Sequence, residues 1–310
     1  MMRRPTTARR SFLKAMAGIV GAYPAALRAD QADPFRISID VDHVVLHVTV
    51  QDGHGGFIAG LESQDFSVYE NGRPQEIRFF HREDVPVTVG MVVDNSGSMR
   101  TKRSSIIEAA RSFAGSSNPD DEMFLVDFNE RVWMGLPDTE PFTSSRSELE
   151  AALERMAPGG RTALYDAIMA GLQHLALGSK DKKVLIVVSD GGDNASSHTI
   201  GDVLRLAGRS NAIIYTIGLF DSEDADRNPK ILRRIAAETG GECFLPPMIS
   251  QVNEACNHVA REIRNQYTIG YSSDNPSHDG RYRRIRVMLN AAKHRDAHIR
   301  ARTGYFAPGV

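Results

Sequence analysis

Between residues 44 and 50 every second position is aliphatic: Val44, Leu46, Val48 and Val50. His43, Val45, His47 and Thr49 occupy the other face. A period of two with one strongly apolar face predicts a half-buried β-strand. Asp52-Gly53 then marks a turn. Residues 65–70 and 75–80 read as two more strands around Asn71-Gly72, a dipeptide suited to a tight hairpin turn. This part of the chain predicts a small antiparallel β unit.

The pattern changes after Pro86. Residues 88–93 form an unbroken apolar run, as expected of a strand buried on both faces of a parallel sheet. Helical periodicity follows over 106–113, then a strand at 123–128 with 131–136 as its hairpin partner. Helices are expected over 147–155 and 162–177, and a second central strand at 184–188. A helix at 203–210 precedes a strand at 212–218, and a helix at 229–239 precedes a short strand at 242–244. A last helix covers about 250–264. Alternation of this kind predicts an α/β fold with a doubly wound, mostly parallel sheet.

After Gln266 the chain returns to period two at 267–271, with further strands at 284–289 and 297–305 around a turn cluster at 275–280. The two β-rich ends are expected to form one antiparallel domain with the α/β unit inserted between them. The expected segments are 1–29, 30–84, 85–264 and 265–310.

Composition changes this picture at one end. The 310 residues carry a formal net charge of −2 and 41% hydrophobic residues. That apolar content argues against disorder, and only 2 Cys argue against a disulfide-stapled mini-protein. No apolar run is long enough for a membrane span. The charge is unevenly spread. Residues 1–29 hold six basic side chains and no acid. Without them the balance is 31 basic to 39 acidic residues, a net of −8, which argues against a nucleic-acid partner. Arg9-Arg10-Ser11-Phe12-Leu13-Lys14, followed by a weakly apolar Ala/Gly-rich stretch, resembles a bacterial twin-arginine export signal. Cleavage is expected between Ala26 and Ala32; an uncleaved anchor is the alternative. The resemblance implies a periplasmic or extracellular protein without a transmembrane helix in the mature chain. An oxidising compartment would allow Cys243 and Cys256 to pair, and two buried free thiols is the other reading.

The chemistry is concentrated at strand ends. The first parallel strand runs into Asp94-Asn95-Ser96-Gly97-Ser98. Gly159-Gly160-Arg161-Thr162 precedes a long helix, and Asp190-Gly191 follows the second central strand. Each residue alone could be a helix cap or turn former. Together they place two carboxylates and three hydroxyls where ligands of open α/β sheets bind, beyond the carboxyl ends of the strands. Hard oxygens of this kind suit Mg²⁺, Mn²⁺ or Ca²⁺.

Asp94, Ser96, Ser98, Thr162 and Asp190, in this order and context, resemble the metal-ion-dependent adhesion site of the von Willebrand factor type A domain, over about residues 85–264. The resemblance implies that Ser96, Ser98 and Thr162 ligate the ion directly or nearly so. Asp94 and Asp190 would act largely through water. It also implies a partner protein that supplies an exposed Asp or Glu. The flanking stretches 60–72 and 302–305 resemble exported bacterial proteins that carry this domain with additional segments.

Other polar groups have plainer readings. His43 and His47 are about 13 Å apart on an extended strand, too far to share an ion, and are expected to be exposed. Asp193 and Asn194 are either supports of the Asp190 loop or simple loop polarity. The acidic stretch 221–226 reads as a solvated loop. Arg281, Arg283, Arg284 and Arg286 near Tyr282 would protect an edge strand, or bind an anionic polymer. The leading functional expectation is a non-enzymatic, metal-dependent protein-binding module. The alternatives are an exported metal-assisted hydrolase and an assembly protein with an incidental metal. The hydrolase reading is weakened by the lack of a nucleophile elbow, a His-Glu-x-x-His motif or a phosphate loop.

Overall fold

The computed structural model describes residues 43–82, 84–155, 158–220, 227–290 and 296–309. The basic segment with Arg9 and Arg10, and the acidic stretch 221–226, lie outside them. Four strands come first: β1 (His43–Gln51), β2 (Phe66–Glu70), β3 (Arg73–Gln75) and β4 (Ile77–His81). The alternation in β1 has its expected effect, with Leu46, Val48 and Val50 buried on one face. Asn71 and Gly72 both take positive φ, 49° and 82°, the pair of left-handed residues that a type I′ hairpin turn requires. That turn joins β2 to β3.

The α/β layer follows. Its elements are β5 (Val87–Asp94), α1 (Arg103–Gly115), β6 (Glu122–Phe128), β7 (Val132–Met134), α2 (Arg146–Glu154), α3 (Leu164–Leu175) and β8 (Lys182–Ser189). They continue as α4 (Ile200–Arg209), β9 (Ile213–Gly218), α5 (Pro229–Thr239), β10 (Cys243–Phe244) and α6 (Val252–Asn265). The sheet order is β10-β9-β8-β5-β6-β7, parallel except for the β6–β7 hairpin. Every residue of β5 is buried, which explains its unbroken apolar run. Val89, Met91 and Val93 face α1, α2 and α6; Val92 faces α3, α4 and α5. Each fully buried aliphatic or aromatic side chain contributes about 1.5–3 kcal/mol. The connection from β5 leads to β6 on one side, and the later strand β8 pairs on the other. The carboxyl end of β5 is therefore the topological switch point, where such folds open a crevice.

The chain ends in β11 (Tyr267–Ser272), β12 (Tyr282–Leu289), β13 (His298–Arg300) and β14 (Gly304–Phe306). With β1–β4 these make two sheets, β13-β1-β11-β4 and β14-β12-β2-β3. Their inner faces share one core, including Leu46, Val48, Phe66, Val68, Tyr267, Ile269 and Ile285. This is a β-sandwich assembled from both ends of the chain. Two expected strands are each broken by a sheet switch. The stretch 75–80 divides at Glu76 into β3 and β4, and 297–305 divides into β13 and β14; each half joins a different sheet. β12 pairs with β14 over Tyr282–Arg284 and with β2 over Ile285–Leu289.

The sandwich meets the α/β layer at the amino edge of the central sheet, where α4, α5 and α6 end. Arg302 donates to Gly208 O at 2.9 Å, and Thr303 N to Glu238 O at 3.3 Å. Fully buried Glu262 of α6 accepts from Thr49 Oγ1 and Tyr215 OH, both at 2.8 Å, and pairs with Arg300. The two covalent crossings lie side by side: Arg82 donates to Asn265 Oδ1 at 3.1 Å, and Arg264 to Asp84 Oδ1 at 2.9 Å. This contact overturns the exposure expected for His47, because its face of β1 is covered. His43 is exposed, whereas His47 is half-buried, and burial together with Lys182 and Arg302 holds its pKa down to about 3.

Candidate metal centre

β5 ends at Asp94, and the chain then passes through Asn95 and Ser96 into a single helical turn, Gly97–Met99. Helix α1 begins only at Arg103, with Lys102 at its cap, so neither Asp94 nor Ser98 caps it. Asp94 Oδ1 instead accepts the Ser96 N–H at 2.8 Å, and Oδ2 accepts the Ser189 hydroxyl at 2.7 Å. The carboxylate is thus tied to its own loop and to the neighbouring strand. It is fully buried. Burial pushes its pKa up to about 6 against these hydrogen bonds, and the like charge of Asp190 adds to the rise.

Asp190 lies directly past β8. Its Oδ2 accepts from Ser98 Oγ at 2.6 Å, and its Oδ1 accepts from Gly192 N at 2.9 Å. Ser96 Oγ and Ser98 Oγ are 3.2 Å apart. Gly191 fixes this turn: its φ is 80°, and a Cβ there would lie 2.5 Å from Asn228 O. Asp94, Ser96, Ser98 and Asp190 therefore meet as one hydrogen-bonded group, built from the ends of adjacent strands.

Thr162 lies just before Ala163, the cap of α3, so it is not itself that cap. Its N–H donates to Asn194 Oδ1 at 3.0 Å, and its carbonyl accepts from Asn194 N at 2.9 Å. The glycines ahead of it are laid across the serine loop: Gly97 N donates to Gly160 O at 3.2 Å, and Gly159 N to Asn95 O at 2.8 Å. Asn194 thus orients Thr162. Asp193 holds the start of α3 by accepting from Tyr165 N at 3.2 Å and from Ser196 Oγ at 2.5 Å.

Two contributors escaped the sequence reading. Ser189 follows directly from register, because Val93 pairs with Val188 in the parallel ladder and the next residues are Asp94 and Ser189. Below the loop, Asn95 donates to Asp127 Oδ1 at 2.7 Å and accepts from Arg103 Nη1 at 2.5 Å. Burial pushes Asp127 up to about 7 despite the nearby Arg103, and its Oδ2 has no hydrogen-bond partner. A carboxylate at the end of an apolar strand was the available signal.

The donor set fits a hard divalent cation. Asp94, Ser96, Thr162 and Asp190 are buried, and all the donors are oxygens. With Mg–O bonds of about 2.1 Å, adjacent oxygens of an octahedron lie about 3.0 Å apart. The Ser96–Ser98 separation is 3.2 Å. Among the described residues, the hydroxyls of Ser96 and Ser98 bond to each other and to Asp190, not to a histidine. A second group, Glu242, His258 and Glu262, has the spacing of a metal site. Arg300 already pairs with both of its carboxylates, so that group is a structural joint.

The cysteines do not pair. Both are free thiols, and they point to opposite sides of the central sheet. Cys256 belongs to the core on the α1, α2 and α6 side of the sheet, whereas Cys243 packs against the core under α3 to α5.

Residues 89–257 match the model of the von Willebrand factor type A domain. The match covers more than half of the chain, and the protein belongs to this family. An uncharacterised protein of Synechocystis sp. is 25% identical over 167 residues, 52% of this chain and 38% of its own length. The chain thus spans well under half of that curated relative. Among solved structures, a von Willebrand factor type A protein from Catenulispora acidiphila shares the fold with a TM-score of 0.52 and 15% identity, over 88% of this chain and 75% of that one. Proximal thread matrix protein 1 of the mussel byssus, solved with a zinc-occupied metal-ion-dependent adhesion motif, gives 0.52 and 16% over 63% and 50%. No helix among the described residues is long and apolar enough to cross a membrane.

Proposed function

We propose that this protein is a divalent-metal-dependent protein-binding module, exported to the periplasm or beyond by its basic N-terminal segment. The observation that supports the reading best is the buried cluster at the switch point. Asp94, Ser96, Ser98 and Asp190 converge there, and Asp94 faces a second carboxylate rather than a basic side chain. Such an arrangement is unfavourable by itself and is relieved by a cation. Ser96, Ser98 and Thr162 would offer hydroxyl oxygens, with Asp94 and Asp190 acting largely through water. Mg²⁺ is the favoured ion, with Mn²⁺ or Ca²⁺ as alternatives.

A bound dication with few charged ligands supplies an electrophilic open position that a partner Asp or Glu can fill. Ser189 and Asn194 hold Asp94 and Thr162 in place for this. The role is binding rather than catalysis: among the described residues the two serine hydroxyls bond to each other and to Asp190, itself a carboxylate of the proposed metal site, and not to a histidine. Calorimetry tests it: the wild type binds Mg²⁺ or Mn²⁺, and Asp94→Ala loses at least about tenfold in affinity. Unchanged affinity in the variant overturns the assignment. Affinity capture with Mg²⁺ and with EDTA separates this reading from an assembly role, because partner retention in EDTA would favour the latter.

A further inference from the structure

The outer face of the β14-β12-β2-β3 sheet has a composition that folding does not explain. Along β12, Arg283 and Ile285 point inward and are buried, while Tyr282, Arg284, Arg286 and Met288 are exposed on the opposite face. Tyr69 of β2 stands directly across from Arg286. With Asn71 and Gly72, these side chains line a groove of about 810 Å³. Tyr282 packs its ring against Phe306, with centroids 5.1 Å apart, and so closes one end of the stripe. Met288 is at the other end, 38% exposed.

The charges are arranged unequally. Arg283 is buried against Glu70, and Arg281 pairs with Asp279. Arg284 and Arg286, between them the centre of the groove, make no ion pair among the described residues. In the ladders of their strand Arg284 lies opposite Gly304 of β14 and Arg286 opposite Tyr69 of β2. Two unpaired guanidinium groups in an aromatic and apolar frame, on a chain of net negative charge, form a local anion-binding surface.

Their spacing selects among anions. Alternate residues of a strand are about 6.8 Å apart. Carboxylates on alternate residues of an extended peptide repeat at the same interval. Guanidinium groups take carboxylates in bidentate geometry. We propose that this face docks an extended acidic peptide segment of a partner protein, with Asp or Glu at positions i and i+2 over Arg284 and Arg286 and apolar residues against Tyr282 and Met288. The face belongs to the sandwich, which joins the amino edge of the central sheet, away from the metal cluster at the carboxyl edge. Docking here is therefore independent of the cation.

The test uses the full chain in EDTA and a fluorescent peptide of about twelve residues alternating Glu and Thr, read by anisotropy at low salt. The wild type should bind it. A peptide of the same composition with Glu and Thr in separate blocks should bind at least about fivefold more weakly, and R284A/R286A should lose at least about tenfold. R284Q/R286Q keeps the aliphatic stems, provides a second variant if the first folds poorly, and should lose binding equally. R281A should bind as the wild type does. Unchanged binding by both double variants overturns the proposal. So does equal affinity for the block peptide, or tighter binding of the wild type to phosphatidylglycerol vesicles or a polyuronate than to the alternating peptide.

Discussion

Two buried carboxylates at opposite ends of the central sheet are treated in opposite ways. Glu262, at the amino edge, receives the Thr49 and Tyr215 hydroxyls and the Arg300 guanidinium, with His258 Nε2 at 3.8 Å. Asp94, at the carboxyl edge, is held by Ser96 and by the Ser189 hydroxyl, with no basic partner, and it faces Asp190. Both are fully buried. The first charge is matched within the fold, so it acts as a joint between sandwich and α/β layer. The second is left electrically open. Burial alone therefore does not distinguish structure from function; the partners do.

Removing each acid is the strongest way to test this contrast. Glu262→Ala leaves the Thr49 and Tyr215 hydroxyls without their acceptor and Arg300 with Glu242 alone, and should cost about 2–4 kcal/mol in urea unfolding. Asp94→Ala in EDTA should cost far less, because it also removes a like-charge repulsion. A comparable loss from both would erase the distinction.

The next effect is pH-dependent. Asp127 under the metal loop has its pKa raised from 3.8 to about 7 by burial. The folded state then binds a proton that the unfolded state has released, so stability falls as pH rises from about 4 through about 7. The expected loss is up to about 2–4 kcal/mol, measured by unfolding at pH 5 and pH 8. Asp127→Asn should remove this share of the dependence and leave the smaller share of Asp94, whose pKa burial raises to about 6. A profile indifferent to that substitution would show that Asp127 is satisfied in a way its lone Asn95 contact does not reveal.

The smallest effect is a null one. With Cys243 and Cys256 on opposite faces of the sheet, reductant should leave the Tm unchanged, and thiol titration of the denatured chain should find two free thiols per chain.

Much of this was legible in advance, for reasons that particular residues make clear. The run ending at Asp94 announced a doubly buried strand, and the acid after it announced the switch point. Asp190 and Ser98 could be placed together because adjacent parallel strands end side by side. The sheet switches at Glu76 and after Arg300 were not legible, since alternation continues through a corner without a break. His47 was misread for a related reason. A polar face on a strand suggests water, but here a second layer covers it. The cysteines could not be assigned to faces, because β10 is two residues long and shows no period. Ser189 needed only register, which the sequence supplies once the strand pair is known.

The side-by-side crossings of the chain have a mechanical consequence. A load applied to the carboxyl edge leaves the α/β layer through two neighbouring routes, one into β4 and one into β11. These strands are hydrogen-bonded to each other in antiparallel register, with His81 opposite Thr268. Traction therefore arrives at one end of a single ribbon, and Arg82 and Arg264 act as rivets where the two routes meet. The α/β layer hangs from the sandwich by a doubled strap rather than by a single thread.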